Sequence, residues 1–319
     1  MKLCDLGEKE IVRRLASFLD IGDDAAYIAH GKGFLLMSTD MMYEETHILP
    51  GMSYEQVGRF IVSVNASDIA AMGARPIAFL LACGNPPGME YSDYEAMIRA
   101  ADGQCRLYGM KFAGGDTKQA GKLTLSGFCV GYAEKPVLRS TAKPGDLVAV
   151  TGCLGDASLG ADILLKGLTH PKAGPAIKKA LEPSARVDAG LALGRYATAM
   201  TDISDSLAIS LHDIAKMSGV AVKLYSEKIP LSDSSVRVAR GLGLDIMDYA
   251  LYGGADYELL FSVRPEDFGK VGSKVDATVI GEVSFGCGVS CVAGKKEHVL
   301  ENRGFEHFKK PAQKLNKRG

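Results

Sequence analysis

A chain of 319 residues is about twice the length of a typical domain, enough to bury two cores. With 47% hydrophobic and 24% charged residues, its composition is that of an ordinary globular protein and excludes a fibrous or low-complexity chain. A formal net charge of −1 offers no electrostatic footprint for nucleic acid or for a membrane surface.

Residues 6–19 mix charged and apolar side chains at helical spacing and predict an amphipathic helix, without the apolar core of a signal peptide. In IGDDAAYI (21–28), two adjacent carboxylates, Asp23 and Asp24, precede an apolar run that reads as a buried strand, where unpaired charge is costly. A second buried strand, GFLLMS (33–38), ends at Thr39 and Asp40. Ser53 starts a long helix, with Gln56 three residues on closing a capping box, and the helix runs to Met72 before Gly73. A strand over 76–83, a helix over 91–109, a short strand over 110–113 leading into GGDT, and a strand over 122–132 follow. That order predicts an α/β (α+β) unit of mixed sheet packed with helices.

The turn formers of RSTAKPGD (139–146) mark a domain boundary, dividing 1–137 from 138–319. Beyond it the pattern predicts a strand over 147–152, a helix over 156–166, helices over 175–181 and 184–198, and a strand over 199–202. A helix over 206–218 and a strand over 220–224 come next. Residues 225–255 give no clear periodicity, and strands over 258–263 and 277–284 flank a short helix. The seven cysteines are scattered through apolar segments, as reduced buried thiols are, and the Cys287/Cys291 pair lacks the further ligands of a zinc site. The cationic tail from Lys309 to Arg318 reads as a solvated terminus. No run of about 18 apolar residues occurs, so a cytoplasmic protein without a membrane span is expected.

The aspartates collect where strands and helices meet. Asp23 and Asp24 follow Gly22, Asp40 ends a strand, Asp116 follows two glycines, and Asp202 and Asp205 lie between a strand and a helix. Strand ends are where α/β proteins build ligand sites. Asp68 instead lies inside the long helix on a stripe with Ile61, Asn65 and Met72, so two polar groups interrupt an apolar face. Each residue alone could cap a helix, start a turn or face water. Together they suit a hard divalent cation, and Mg2+, which takes carboxylates along with waters and substrate phosphates, fits scattered aspartates. A nucleoside triphosphate is the natural companion of Mg2+. The chain has no G-x-x-x-x-G-K-[ST] and no protein-kinase signature. TGCLGDASLG (151–160) could offer backbone amides to a phosphate, or be a strand–helix turn capped by Asp156. GGDT (114–117) is the better approach point, because its glycines let backbone come close while Asp116 holds the metal.

In chain order, GDDAA (22–26), STD (38–40), His47, NASDIAAMGARP (65–76), GGDT, RSTAKPGD, TGCLGDASLG, PSAR (183–186), TDISDSL (201–207), GGADYELLF (253–261), IGEV (280–283) and GFEHF (304–308) resemble the thiamine-monophosphate kinase family. Its superfamily includes aminoimidazole-ribonucleotide synthetase, selenophosphate synthetase and the hydrogenase-maturation carbamoyl dehydratase. The resemblance implies an enzyme that phosphorylates thiamine monophosphate to thiamine diphosphate with ATP and several Mg2+ ions. It also implies a two-domain fold of the aminoimidazole-ribonucleotide synthetase type and a homodimer through the first domain. Asp24, Ser38, Thr39, Asp40, Asp68, Asp116, Asp202 and Asp205 match magnesium ligands; Gly115, Asp116, Arg139 and Ser204 match ATP contacts; His47 and Phe305 match positions that hold the acceptor. No protein group is implied as general acid, base or nucleophile. Two positions depart from the pattern: Ala255 stands where Glu is usual, and Ser206 where Gly is usual. Another ATP-using member of the superfamily with a different acceptor, or a catalytically silent nucleotide-binding paralogue, is the alternative reading.

Overall fold

The computed structural model describes residues 2–19 and 21–308; the tail from Lys309 to Arg318 lies outside the described residues. The first half contains α1 (Leu3–Leu6), α2 (Glu8–Leu15), β1 (Ala26–His30), β2 (Gly33–Tyr43), α3 (Glu44–His47), α4 (Tyr54–Ala71), β3 (Arg75–Asn85), α5 (Tyr91–Leu107), β4 (Lys111–Gln119) and β5 (Thr124–Ala133). The second contains β6 (Leu147–Thr151), α6 (Asp156–Lys166), α7 (Gly174–Leu181), α8 (Val187–Leu193), β7 (Ala197–Asp202), α9 (Leu207–Ser218) and β8 (Ala221–Tyr225). It continues with α10 (Asp233–Gly241), α11 (Ile246–Tyr252), β9 (Leu259–Val263), α12 (Pro265–Gly272), β10 (Ala277–Ser284), β11 (Gly288–Ala293) and β12 (Lys296–Val299).

The strands form two mixed sheets, in the α/β arrangement the element order predicts. The first runs β1-β2-β5-β3-β4, with β3 and β4 parallel. The second runs β12-β11-β8-β10-β6-β9-β7, with β8 and β11 parallel. One face of the first sheet is sealed by α4 and α5, burying Leu36, Phe79, Leu81, Leu125 and Cys129. Its other face is open and partly apolar: Met41, Ile77, Leu80 and Phe128 are exposed there.

Helix α4 positions the site because it touches both halves. It starts as predicted, with Ser53 Oγ accepting from the Gln56 amide at 3.3 Å and Gln56 Oε1 accepting from the Ser53 amide at 2.9 Å. Its apolar residues point in several directions, which suits a helix covered on most sides. It packs on β2, β3 and β5 of the first sheet and on α8 and β7 beside the second.

Several elements differ from the sequence reading. The run after Asp24 is a strand, yet β1 is exposed along its whole length, because it is an edge strand paired with β2. β2 does not stop at residue 38: its pairing with β5 is unbroken from Phe34↔Ala133 to Tyr43↔Thr124, which leaves Asp40 inside the strand. GGDT likewise lies within β4, aligned with β3. The predicted helix over 184–198 is shorter, since β7 already begins at Ala197 to pair with β9. Residues 225–255 hold the short helices α10 and α11, and the β11–β12 hairpin was not foreseen.

Candidate active site

Four aspartates from four separate elements converge between the two sheets. Asp24 precedes β1, Asp40 lies on β2, Asp68 on α4, and Asp202 ends β7. Asp24, Asp68 and Asp202 each bring a carboxylate oxygen within 4.8 Å of the others, and Asp40 shares a hydrogen bond with Asp68. The polar stripe on α4 explains this placement. Fully buried Asn65 accepts from the Asp40 amide at 3.0 Å and donates to the Ile61 carbonyl at 2.8 Å, so it pins β2 where Asp40 meets Asp68, one turn on. Ser67 Oγ donates to Asp202 Oδ2 at 2.5 Å, tying β7 to the same helix.

This crowding is electrostatically expensive. Burial, and then the charges of Asp40, Asp202 and Asp24, push Asp68 well above the ordinary carboxylate range. Asp202 is pushed up to about 7 by burial and by Asp24, despite the Ser67 hydrogen bond. Asp40 is raised by burial, and Asp205 is raised to about 6 by burial and by Glu8. Arg139 is committed to Asp24: Nη2 lies 2.6 Å from Oδ1 and Nε lies 3.1 Å from Oδ2, while Thr201 Oγ1 donates to Oδ1 at 2.9 Å. Burial opposes the charge on Arg139, and the Asp24 carboxylate overrides it. Asp23 does something else, accepting from the Arg139 backbone amide at 2.7 Å and so fixing the segment that carries the guanidinium.

The donor set is therefore oxygen-only, convergent and short of positive charge, which fits a hard cation such as Mg2+ and lacks the sulfur and nitrogen ligands that zinc favours. A cavity of about 110 Å³ opens onto it, lined by Asp40, Asp68, Asp202, His47, Ser204 and Tyr257 among others. His47 Nδ1 accepts from the Tyr43 amide at 3.1 Å, and burial then holds the ring below its ordinary pKa. His307 lies tilted against His47, at 5.3 Å between centroids, and edge-to-face with Phe305, at 4.8 Å, so the two predicted acceptor residues end one aromatic train.

Other predicted residues stand apart from the cluster. Ser38 Oγ donates to the Asn65 carbonyl at 3.0 Å and Thr39 Oγ1 to the Gly127 carbonyl at 2.8 Å, so both hydroxyls are already engaged. Asp116 is exposed on edge strand β4, with Lys118 Nζ at 3.1 Å, and that lysine holds its carboxyl below the usual range. It lies opposite Ala82, one residue beyond the Leu81↔Gly115 pair, and so on the open face of the sheet. It also lines a separate cavity of about 310 Å³ with Cys83, Lys118 and Ser126. Gly115 is a glycine for a packing reason, since a Cβ there would sit 1.8 Å from the Leu81 carbonyl oxygen.

Comparison with known proteins decides the family. Residues 22–133 match the model of the AIR synthase related protein, N-terminal domain. The chain is 34% identical to the thiamine-monophosphate kinase of Pyrococcus horikoshii, over 95% of this chain and 96% of that protein. It is 36% identical to that of Aquifex aeolicus, over 97% of this chain and 100% of that protein. The chain belongs to the thiamine-monophosphate kinase family. In three dimensions it matches AaThiL complexed with AMPPCP and TMP at a TM-score of 0.90 and 34% identity, covering 96% of this chain and 99% of that one.

Against the thiamine-monophosphate kinase pattern, both departures have a local account. Ser206 caps α9 by accepting from the Ile209 amide at 3.1 Å, and it donates to the Arg303 carbonyl at 2.9 Å, anchoring the C-terminal segment. Ala255 adopts φ +63°, and its amide donates to the Ser204 carbonyl at 2.6 Å. The glycine-rich TGCLGDASLG turn is not free to take an anion. Asp256 occupies its amides, accepting from Gly155 N at 2.7 Å and Ala157 N at 3.2 Å. Asp156 is not the cap either, since its carboxylate accepts from Ser232 Oγ at 2.7 Å. Sequence reasoning missed two site residues of this family member. Asp213, on α9, lies 3.9 Å from Arg139 Nη1, and an acid on a helix looks locally like a solvated face. Tyr257, which lines the cavity, was named only within the GGADYELLF motif and given no role, though its place between two acids in DYE was a visible signal.

Proposed function

We propose that this protein transfers the γ-phosphoryl group of ATP to thiamine monophosphate, giving thiamine diphosphate and ADP, as the last step of thiamine diphosphate biosynthesis in the cytoplasm. The observation that carries the reading is the convergence of Asp24, Asp40, Asp68 and Asp202 on a cavity that also reaches His47. In support, the related protein in the matching structure was solved with AMPPCP and TMP.

Several Mg2+ ions, held by Asp24, Asp40, Asp68 and Asp202 with Asp205, would neutralise the repulsion between two polyanions. The residues of the chain then have distinct tasks. Arg139, Gly115 and Ser204 hold the nucleotide, and His47 with Phe305 seats the thiazolium end of the acceptor. The fall in the His47 pKa keeps that ring uncharged beside a cationic ligand. No residue is needed as a general base, because a phosphate monoester has its second pKa near about 6 and is already largely ionised at neutral pH. Alignment and electrostatics suffice, as is usual for phosphoryl transfer, and the transfer is direct and in line without a phosphoenzyme. The boundary between the nucleotide- and metal-binding half (1–137) and the second half (138–319) falls in the linker that Asp23 fixes. The apolar open face of the first sheet supports a homodimer through that half.

A coupled ADP-release assay with Mg2+ and a panel of phosphorylated acceptors tests the reading. Turnover with thiamine monophosphate and no phosphoryl group retained after incubation with labelled ATP alone is expected. ATP binding without turnover on any acceptor would leave a silent nucleotide-binding paralogue instead.

A further inference from the structure

Tyr257 is the least comfortable residue near the aspartates. It sits at φ +49°, two residues after Ala255 at φ +63°, and a bulky aromatic in the left-handed region persists only when its surroundings over-determine it. They do so here. The Tyr257 amide donates to the Ile203 carbonyl at 3.0 Å, the Ala255 amide to Ser204, and Asp256 between them is locked onto the start of α6. The result of that backbone shape is a ring packed edge-to-face on Phe60, with centroids 6.1 Å apart, lining the same cavity as Asp40, Asp68, Asp202 and His47.

Among the described residues the Tyr257 hydroxyl makes no hydrogen bond, and its half-buried side chain lines the cavity. An unengaged hydroxyl on the cavity wall is available to a bound ligand. A phenol is un-ionised at neutral pH, so it can donate a hydrogen bond. One cavity is lined by His47, the aspartates and Tyr257. An acceptor seated with its ring at His47 and its phosphate toward the aspartates presents phosphate oxygens to it.

We propose that Tyr257 is a substrate-binding residue whose hydroxyl donates a hydrogen bond to the phosphate of the acceptor. This deepens the kinase reading and rests on it. The test is Tyr257→Phe, which keeps the ring on Phe60 and the backbone while removing one oxygen. Hydrogen bonds to charged groups justify an expected fall of about 10- to 100-fold in kcat/KM for thiamine monophosphate. KM for ATP and the thermal midpoint are expected to stay at the wild-type value. Unchanged kcat/KM for thiamine monophosphate overturns the proposal, as does a loss shared equally with ATP or one that tracks a lowered thermal midpoint. If the wild type itself fails to turn over thiamine monophosphate, the kinase reading falls separately, and calorimetric titration with inorganic phosphate in the presence of Mg2+ judges Tyr257. About 10-fold weaker phosphate binding by Tyr257→Phe then supports the hydroxyl contact, and equal affinity overturns it.

Discussion

Glu258, in the GGADYEL segment, and the aspartates that share a cavity with Tyr257 of the same segment are buried carboxylates treated oppositely. Glu258 is 1% exposed and fully partnered: Arg186 Nε at 2.6 Å, Lys179 Nζ at 2.9 Å and Thr151 Oγ1 at 2.7 Å surround it. Burial alone would raise its pKa, but Arg186 and Lys179 outweigh that and hold it below the usual range. Asp40, Asp68 and Asp202 have one another for company, and all three are raised. The PSAR and DYE motifs thus supply an internal ion cluster that needs nothing more, whereas the aspartates form a cluster that a cation would complete. Burial of acids is common to both. What distinguishes the site is the missing countercharge.

The sharpest way to break that contrast is Asp68→Asn. Activity is expected to fall by at least 100-fold, because the loss is of an electrostatic anchor for two polyanions. Stability should move the other way. Asp68 has its pKa raised on folding, so in metal-free protein its contribution to stability declines as pH rises above the unfolded value of 3.8, and removing its charge should raise stability at neutral pH. Added Mg2+ should raise the thermal midpoint of the wild type more than that of the variant. A variant less stable than wild type without Mg2+, and still active, would make Asp68 an ordinary core residue.

The counterpart is Glu258→Gln. Removing one partner of a buried ion pair leaves uncompensated charge, and roughly 3 kcal/mol of stability should be lost, toward the low end because the Arg186 side chain is 41% exposed. Chemical denaturation checks this, and turnover per folded molecule should change little. A stability change below about 1 kcal/mol would mean that the cluster is no stronger than a surface pair.

How much of this the sequence could carry follows from locality. The capping box at Ser53, helix α6 and strand β10 were legible because their signals lie within the element itself. The extents of β2 and β4 were not, since both are set by partner strands far along the chain, and that is why Asp40 and Asp116 looked like strand ends. The interrupted stripe of Asn65 and Asp68 pointed correctly at a polar need. Only the fold says that Asn65 meets it through the Asp40 amide while Asp68 faces other acids. Asp23 and Asp24 are neighbours in sequence, yet one grips the backbone of Arg139 and the other its guanidinium, a division that depends on a segment more than a hundred residues away.

Asp256 sharpens the comparison because it lies between the two cases, with two backbone amides as donors and, among the described residues, no cation hydrogen-bonded to it, only the more distant charge of Lys179. Dipoles compensate a buried charge less well than a guanidinium does, and burial accordingly pushes this carboxyl up to about 7 even against those amides. Since the unfolded value is 3.8, the native state holds a proton that the unfolded chain has lost between about pH 4 and pH 7, so the contribution of Asp256 to stability declines as pH rises through that window. The limiting slope for one group is about 1.4 kcal/mol per pH unit. Asp256→Asn keeps an oxygen for one amide and cannot ionise. Near pH 4 it should be less stable than wild type by about 1 kcal/mol, the worth of one hydrogen bond, and the deficit should shrink or reverse by pH 7. Denaturant titrations at several pH values, compared as wild type minus variant, read this directly. A difference that stays constant with pH would show that the two amides stabilise the carboxylate as fully as Arg186 and Lys179 stabilise Glu258, and the distinction between dipolar and ionic compensation would fail for this segment.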